Sequence, residues 1–172
     1  MNRTLTGWSG FSILAKGPTD MSADLDSSKI IRIERTVAAP RELVFEAFSD
    51  PKHLDAWWGP DGFTNETHEM EFSVGGLWRY TMHGPDGKAW PNWIRYTEIS
   101  APSRIAYDHG GEIDEPAHFG GLITFQDVDG KTLVSLVLVF ETTQARDATI
   151  EFGAVEGGQQ TLAKLEWFVL DM

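Results

Sequence analysis

His68 and Glu69 stand side by side, with His83, Asp108 and His109 further along the chain. Imidazoles and carboxylates of this kind can ligate a metal ion or carry a proton. Their spacing argues against a metal. There is no HExxH, and His68 and Glu69 lie in a strand-like stretch, where neighbours face opposite ways. A general base among His68, Glu69, His83, Asp108 and His109 is outweighed by the commoner role of a surface or hydrogen-bonded core side chain. The chain has no cysteine, hence no thiol nucleophile, disulfide or thiolate site. Its serines lie in no G-x-S-x-G elbow. The turn Gly84-Pro85-Asp86-Gly87 lacks the lysine and the helix start of a phosphate-binding loop. No catalytic residue, metal or cofactor is assigned.

What the chain has in plenty is apolar and aromatic surface. Seven Trp and ten Phe, with 41% hydrophobic residues overall, suit a bulky core or an apolar pocket. Trp57 and Trp58 are consecutive, about 100° apart on a helix, so one can seal the core while the other faces a cavity mouth. Trp78, Tyr80 and Met82 share one face of a strand, as do Met70 and Phe72; core packing and cavity lining both account for them. The net charge of −12 argues against nucleic acid and anionic membrane surfaces, which reward lysine and arginine. No apolar run approaches the roughly 18 residues of a membrane span. Residues Leu5 to Ala15 are mildly apolar, but Gly7, Ser9, Gly10 and Ser12 interrupt them, a poor signal-peptide pattern. Met21 opens a polar run that resembles an ordinary start. Residues 1–28 are expected to be a flexible extension and residues 29–172 a single domain, with a cytoplasmic location.

The elements that must position these side chains follow from periodicity. Ile30 to Val37 alternates as a half-buried strand. Two short helices follow, with Pro40 in the first turn of one, and with Asp50 as cap and Pro51 at the first position of the other. From Thr64 onward, strand-like runs are separated by turns: 64–72, 77–83, 92–99, 105–109, 118–128 and 131–141. Asp129-Gly130 between the last two is a strong hairpin signal. From about Gln144 to Leu170, Ala148, Phe152, Val155, Leu162, Leu165 and Val169 recur at helical steps. Roughly 25 helical residues would reach about 38 Å. Gly153, Gly157 and Gly158 weaken that helix by roughly 1 kcal/mol each. Either it breaks near Gly153, or its middle must stay small because something lies opposite.

Four stretches, SDPKHLDAWWGPDGF, FSVGGLWRYTMHGPDGK, YTEISAPSRIAYDH and EGGQQTLAKLE, resemble the START-like SRPBCC superfamily. The branch most similar is the one named after the C-terminal domain of the heat-shock-protein-90 ATPase activator. The similarity runs from Lys29 to Phe168. It implies an α+β helix-grip fold of the START-like, Bet v-like kind. In that fold a curved antiparallel sheet wraps around a long C-terminal helix and encloses a cavity. The implied function is binding of a small apolar molecule. The alternatives are a polyketide-cyclase or aromatase type of enzyme and a chaperone-interacting module. Chaperone contact is not expected, because no second domain is present to help clamp a large partner; a homodimer is left open.

The cavity wall is expected to use Trp58, Phe63, His68, Met70, Trp78, Tyr80, Met82, Trp93 and Tyr107 from the first part of the chain. Phe152, Val155, Gly158, Gln159 and Leu162 are expected to line it from the last helix. Relatives read EGW where this chain has Glu156-Gly157-Gly158. The small residue at 158 is expected to leave a space, held open for a ligand or refilled by Trp90 or Trp93. On the first account, Gly158→Trp should leave stability unchanged or raise it.

Overall fold

The computed structural model describes residues 25–172. The expected extension therefore lies largely outside the described residues. The four of its residues that are seen begin at Leu25, and a short 3-10 turn, Ser27–Lys29, leads into the first strand.

The strand β1 (Ile30–Val37) buries Ile31, Ile33 and Val37 on one face, as its alternation requires. The helices α1 (Arg41–Glu46) and α2 (Pro51–Trp57) follow. Asp50 accepts a hydrogen bond from the Lys52 backbone N–H at 2.8 Å, and Pro51 opens the helix. Six more strands complete the sheet: β2 (Thr64–Met70), β3 (Leu77–His83), β4 (Ala89–Ser100), β5 (Arg104–Gly110), β6 (Phe119–Val128) and β7 (Lys131–Val139). All neighbours are antiparallel, in the order β1-β7-β6-β5-β4-β3-β2. Asp129 and Gly130 turn the β6–β7 hairpin with φ of 53° and 80°, the left-handed pair that a two-residue turn needs.

One feature departs from the expectation. The sheet does not curl strongly and does not wrap around a helix: it is an open seven-stranded layer with β1 at one edge and β2 at the other. Only two register shifts interrupt its ladders, at Thr67/Glu69 and Tyr96/Glu98, and such bulges are what bend a sheet sharply. The C-terminal helix takes the first of the two alternatives that its glycines left open and is not continuous. It is split into α3 (Thr143–Glu151) and α4 (Ala154–Leu170) by Gly153, whose φ of 94° lies in the left-handed region. The helices α1, α2 and α4 pack on one face of the sheet, α4 chiefly against β1 and α2.

Thr161, Leu162, Leu165 and Val169 form the buried stripe of α4. Phe152, ahead of the break at Gly153, and Val155, in the first turn of α4, are exposed, 82% and 41%. Arg35 reaches across from β1 to Glu166 at 3.0 Å and fixes the register of α4 on the strand. Replacing Gly153 by alanine should cost about 1–2 kcal/mol, measured as a lower urea midpoint with an unchanged slope; an unchanged midpoint would mean that the break carries no conformational demand.

Candidate functional site

The core face of the sheet carries a dense aromatic group. Trp78 and Tyr80, two apart on β3, stack with ring centroids 4.1 Å apart. Trp58, just past the end of α2, meets Trp78 edge-on at 5.6 Å and Trp57 at 5.4 Å. The indole N–H of Trp58 donates to the Tyr80 hydroxyl at 3.2 Å, and that of Trp78 donates to Thr67 Oγ1 at 3.0 Å. Thr67 and Asn65 in turn donate to the Asp55 carboxylate at 2.6 and 2.7 Å. The polar rims of these aromatics are thus tied to α2 and β2, while their faces stay apolar.

Within this group lies a small cavity walled by Phe48, Leu54, Trp58, Trp78, Ile94, Tyr96, Ile105, Tyr107 and Ile123. The room left for the centre of a water molecule is about 10 Å³, the lower limit for one water. Two phenols, Tyr96 and Tyr107, line it, and Tyr80 stacks on the lining residue Trp78. Burial pushes the hydroxyl pKa of Tyr80, Tyr96 and Tyr107 far up, and Tyr107 raises both of the others further. All three are therefore neutral groups, able to donate and accept.

His109 joins them from β5. Its Nε2 lies 3.4 Å from the Tyr80 hydroxyl, and its ring lies parallel to Phe119 at 4.5 Å. Its Nδ1 is buried without a hydrogen-bond partner. Burial, with His118 nearby, pushes its pKa down to about 3; the residue as a whole is only half-buried, which moderates the effect. The sign for stability follows. Between the two values the unfolded chain binds the proton and the folded chain does not, so stability falls as pH drops below about 6.5. His109→Phe should lose less melting temperature between pH 7 and pH 5 than the wild type does. Equal losses would place the acid sensitivity elsewhere.

The structure gathers some of the expected residues and separates others. Trp58, Trp78 and Tyr107 wall the cavity, and Tyr80 joins the group by its stacking and its hydroxyl. Met70 and Met82 pack on the surrounding core, and Leu162 lies within it. Phe63 covers Gly84 at the turns beyond α2. His68 is exposed and bonded to Thr81 at 2.7 Å. Trp93 lies on the other side of the sheet: it pairs with Arg79, its ring covers Gly110, and its indole N–H donates to the Glu112 carbonyl at 3.0 Å. Gln159 and the pair Phe152 and Val155 point to solvent.

Gly158 faces no empty space and no tryptophan. A side chain added there would run into Ile33 Cδ1 of β1. The glycine lets α4 approach the strand, with Ile33 filling the place that was expected to be a space or to hold an indole. Ile94 and Tyr96 escaped the sequence reading because Trp93 drew attention to the wrong phase of β4; Ile105 of β5 and Ile123 of β6 were not singled out either. The register Trp78↔Ile94 and Tyr96↔Tyr107 puts the even-numbered residues of that half of β4 on the core face. Among the described residues no three His, Asp or Glu side chains group as metal ligands, and no helix is long and apolar enough to cross a membrane.

Residues 38–169 match the family model described as Activator of Hsp90 ATPase homolog 1-like protein. The chain belongs to this family. A protein from Nitrosomonas europaea of known crystal structure superposes with a TM-score of 0.78 at 22% identity, over 86% of this chain and 97% of that one. A solution structure from Arthrobacter aurescens gives 0.78 at 24%, over 84% and 88%. A crystal structure from Chromobacterium violaceum gives 0.69 at 28%, over 80% and 94%. These likenesses establish the fold of this family member. No curated protein matches the chain.

Proposed function

We propose that this family member binds a small, uncharged apolar molecule at the aromatic cavity between β3–β6 and α2. The observation that supports this reading is one apolar void lined by two neutral phenols, Tyr96 and Tyr107. A buried hydroxyl costs free energy unless it is bonded, and phenylalanine would pack there without that cost. Phenols retained at such a place suit a guest with a carbonyl or hydroxyl to match. No lysine or arginine lines the cavity, so a charged guest would be left unpaired.

In the closed form the void holds about one water, against the several hundred Å³ that a drug-sized guest fills. Binding therefore requires the wall to open. Trp58, Met70, Phe72 and Met82, which are only partly buried around the core, are the side chains that would give way. Native mass spectrometry of freshly purified protein tests the proposal. One co-purifying small molecule per chain, or saturable uptake of one apolar dye by the stripped protein, is expected. Neither a co-purified molecule nor saturable uptake would defeat it, and a co-purifying chaperone would point to an interaction module instead.

A further inference from the structure

Three polar groups meet end to end beside the cavity: the Trp58 indole N–H, the Tyr80 hydroxyl and the His109 imidazole. Two residues that line the cavity are neighbours of His109 on the same face of the sheet. Ile94 is its direct partner on β4, and Tyr107 precedes it by two on β5. The residue is only half-buried, so its ring is not sealed in by the core. The protons of this row can be counted. Burial holds the His109 ring neutral at pH 7, so it carries one N–H; with the indole and the phenol the row holds three protons. It has only two links, Trp58 to Tyr80 at 3.2 Å and Tyr80 to His109 at 3.4 Å, and each link uses one proton. One donor is therefore left over. The indole can only donate, so its proton goes to the Tyr80 oxygen. Were the His109 Nε2 to donate there too, both the Tyr80 proton and the Nδ1 lone pair would stay unused within the row. With Tyr80 donating to Nε2, a single N–H remains. It stands on Nδ1, the atom that is buried without a partner, and such a donor costs its full desolvation free energy until an acceptor arrives.

We infer that His109 carries its proton on Nδ1 and that this N–H selects guests with an acceptor oxygen, a ketone, ester or lactone carbonyl on an apolar body. The inference deepens the reading of the cavity as a guest site and rests on it. A hydrocarbon leaves the donor unpaired. A guest hydroxyl brings a further proton to a row that already has one too many. A carbonyl oxygen accepts without adding a donor, and so closes the count.

The test pairs a cyclic ketone with the cycloalkane of the same ring size, added to the whole chain with isotope-labelled histidine. Before any probe is added, the ring nitrogen signals of His109 at pH 7 should show a protonated Nδ1 and an unprotonated Nε2. The reverse pattern would overturn the inference. The ketone should shift the Nδ1 signal in a saturable way, and the cycloalkane should leave it nearly in place. In His109→Phe the ratio of ketone to cycloalkane affinity should fall about fivefold, the worth of one hydrogen bond. The wild-type ring signals decide the question even where that variant does not fold. Equal shifts with both probes, or an unchanged ratio, would mean that solvent meets this donor. That result would overturn the inference and leave the cavity reading intact. Saturable uptake of neither probe would defeat the cavity reading, and the inference with it.

Discussion

Gly158→Trp should destabilise the protein by roughly 1–3 kcal/mol or more, the cost of overpacking a closed core. The reason is local. Ile33 is 1% exposed, and its Cδ1 already occupies the position a Cβ at 158 would claim. An indole there would have to push α4 off β1, straining the Arg35–Glu166 pair at 3.0 Å. At this chain length each kcal/mol moves the melting temperature by about 2–4 °C. The double variant Gly158→Trp with Ile33→Ala should recover part of the loss, because the smaller strand residue makes room. Should the single variant melt at or above the wild-type temperature, a space beside Gly158 would have to be reinstated.

The second large effect is expected at Trp78. This side chain is 2% exposed, stacks on Tyr80 and walls the cavity. Trp78→Ala should cost about 3–5 kcal/mol and leave Thr67 without its indole donor. It should also enlarge the void enough to accept a small apolar probe without any opening of the wall. Stability should thus fall while probe uptake quickens and tightens, and part of the lost stability should return when the probe is added. A loss of stability with no new uptake would mean that the neighbours collapse into the gap, and that the void is not the place where a guest sits.

Much of the fold could be read from residues whose chemistry is local. Asp50 and Pro51 announced α2, Asp129-Gly130 announced the last hairpin, and the alternation of β1 gave its buried face; none of these depends on a distant partner. What failed depended on register or on close approach. Trp93 and Ile94 are adjacent, both apolar, and only the pairing of β3 with β4 says which one faces the helices. The glycines of the last helix posed a choice that periodicity could not make: Gly153 breaks the helix, whereas Gly158 admits Ile33. The curvature expected of the sheet came from a family resemblance. It was corrected because two bulges in seven strands leave an open layer here. His109 and the three phenols were visible as residue types, but their convergence requires β3, β4 and β5 to be aligned, which no single stretch encodes.

The most direct measurement follows the indole N–H signals while an uncharged apolar probe is titrated into the protein. Trp58 and Trp78 should shift in a saturable way, together with the Ile94, Ile105 and Ile123 methyls that share the cavity wall. Trp93, on the opposite face, and Trp167, exposed on α4, should stay in place. Shifts confined to Trp93 or Trp167, or no saturable shift at any indole, would contradict a guest site in the aromatic cavity.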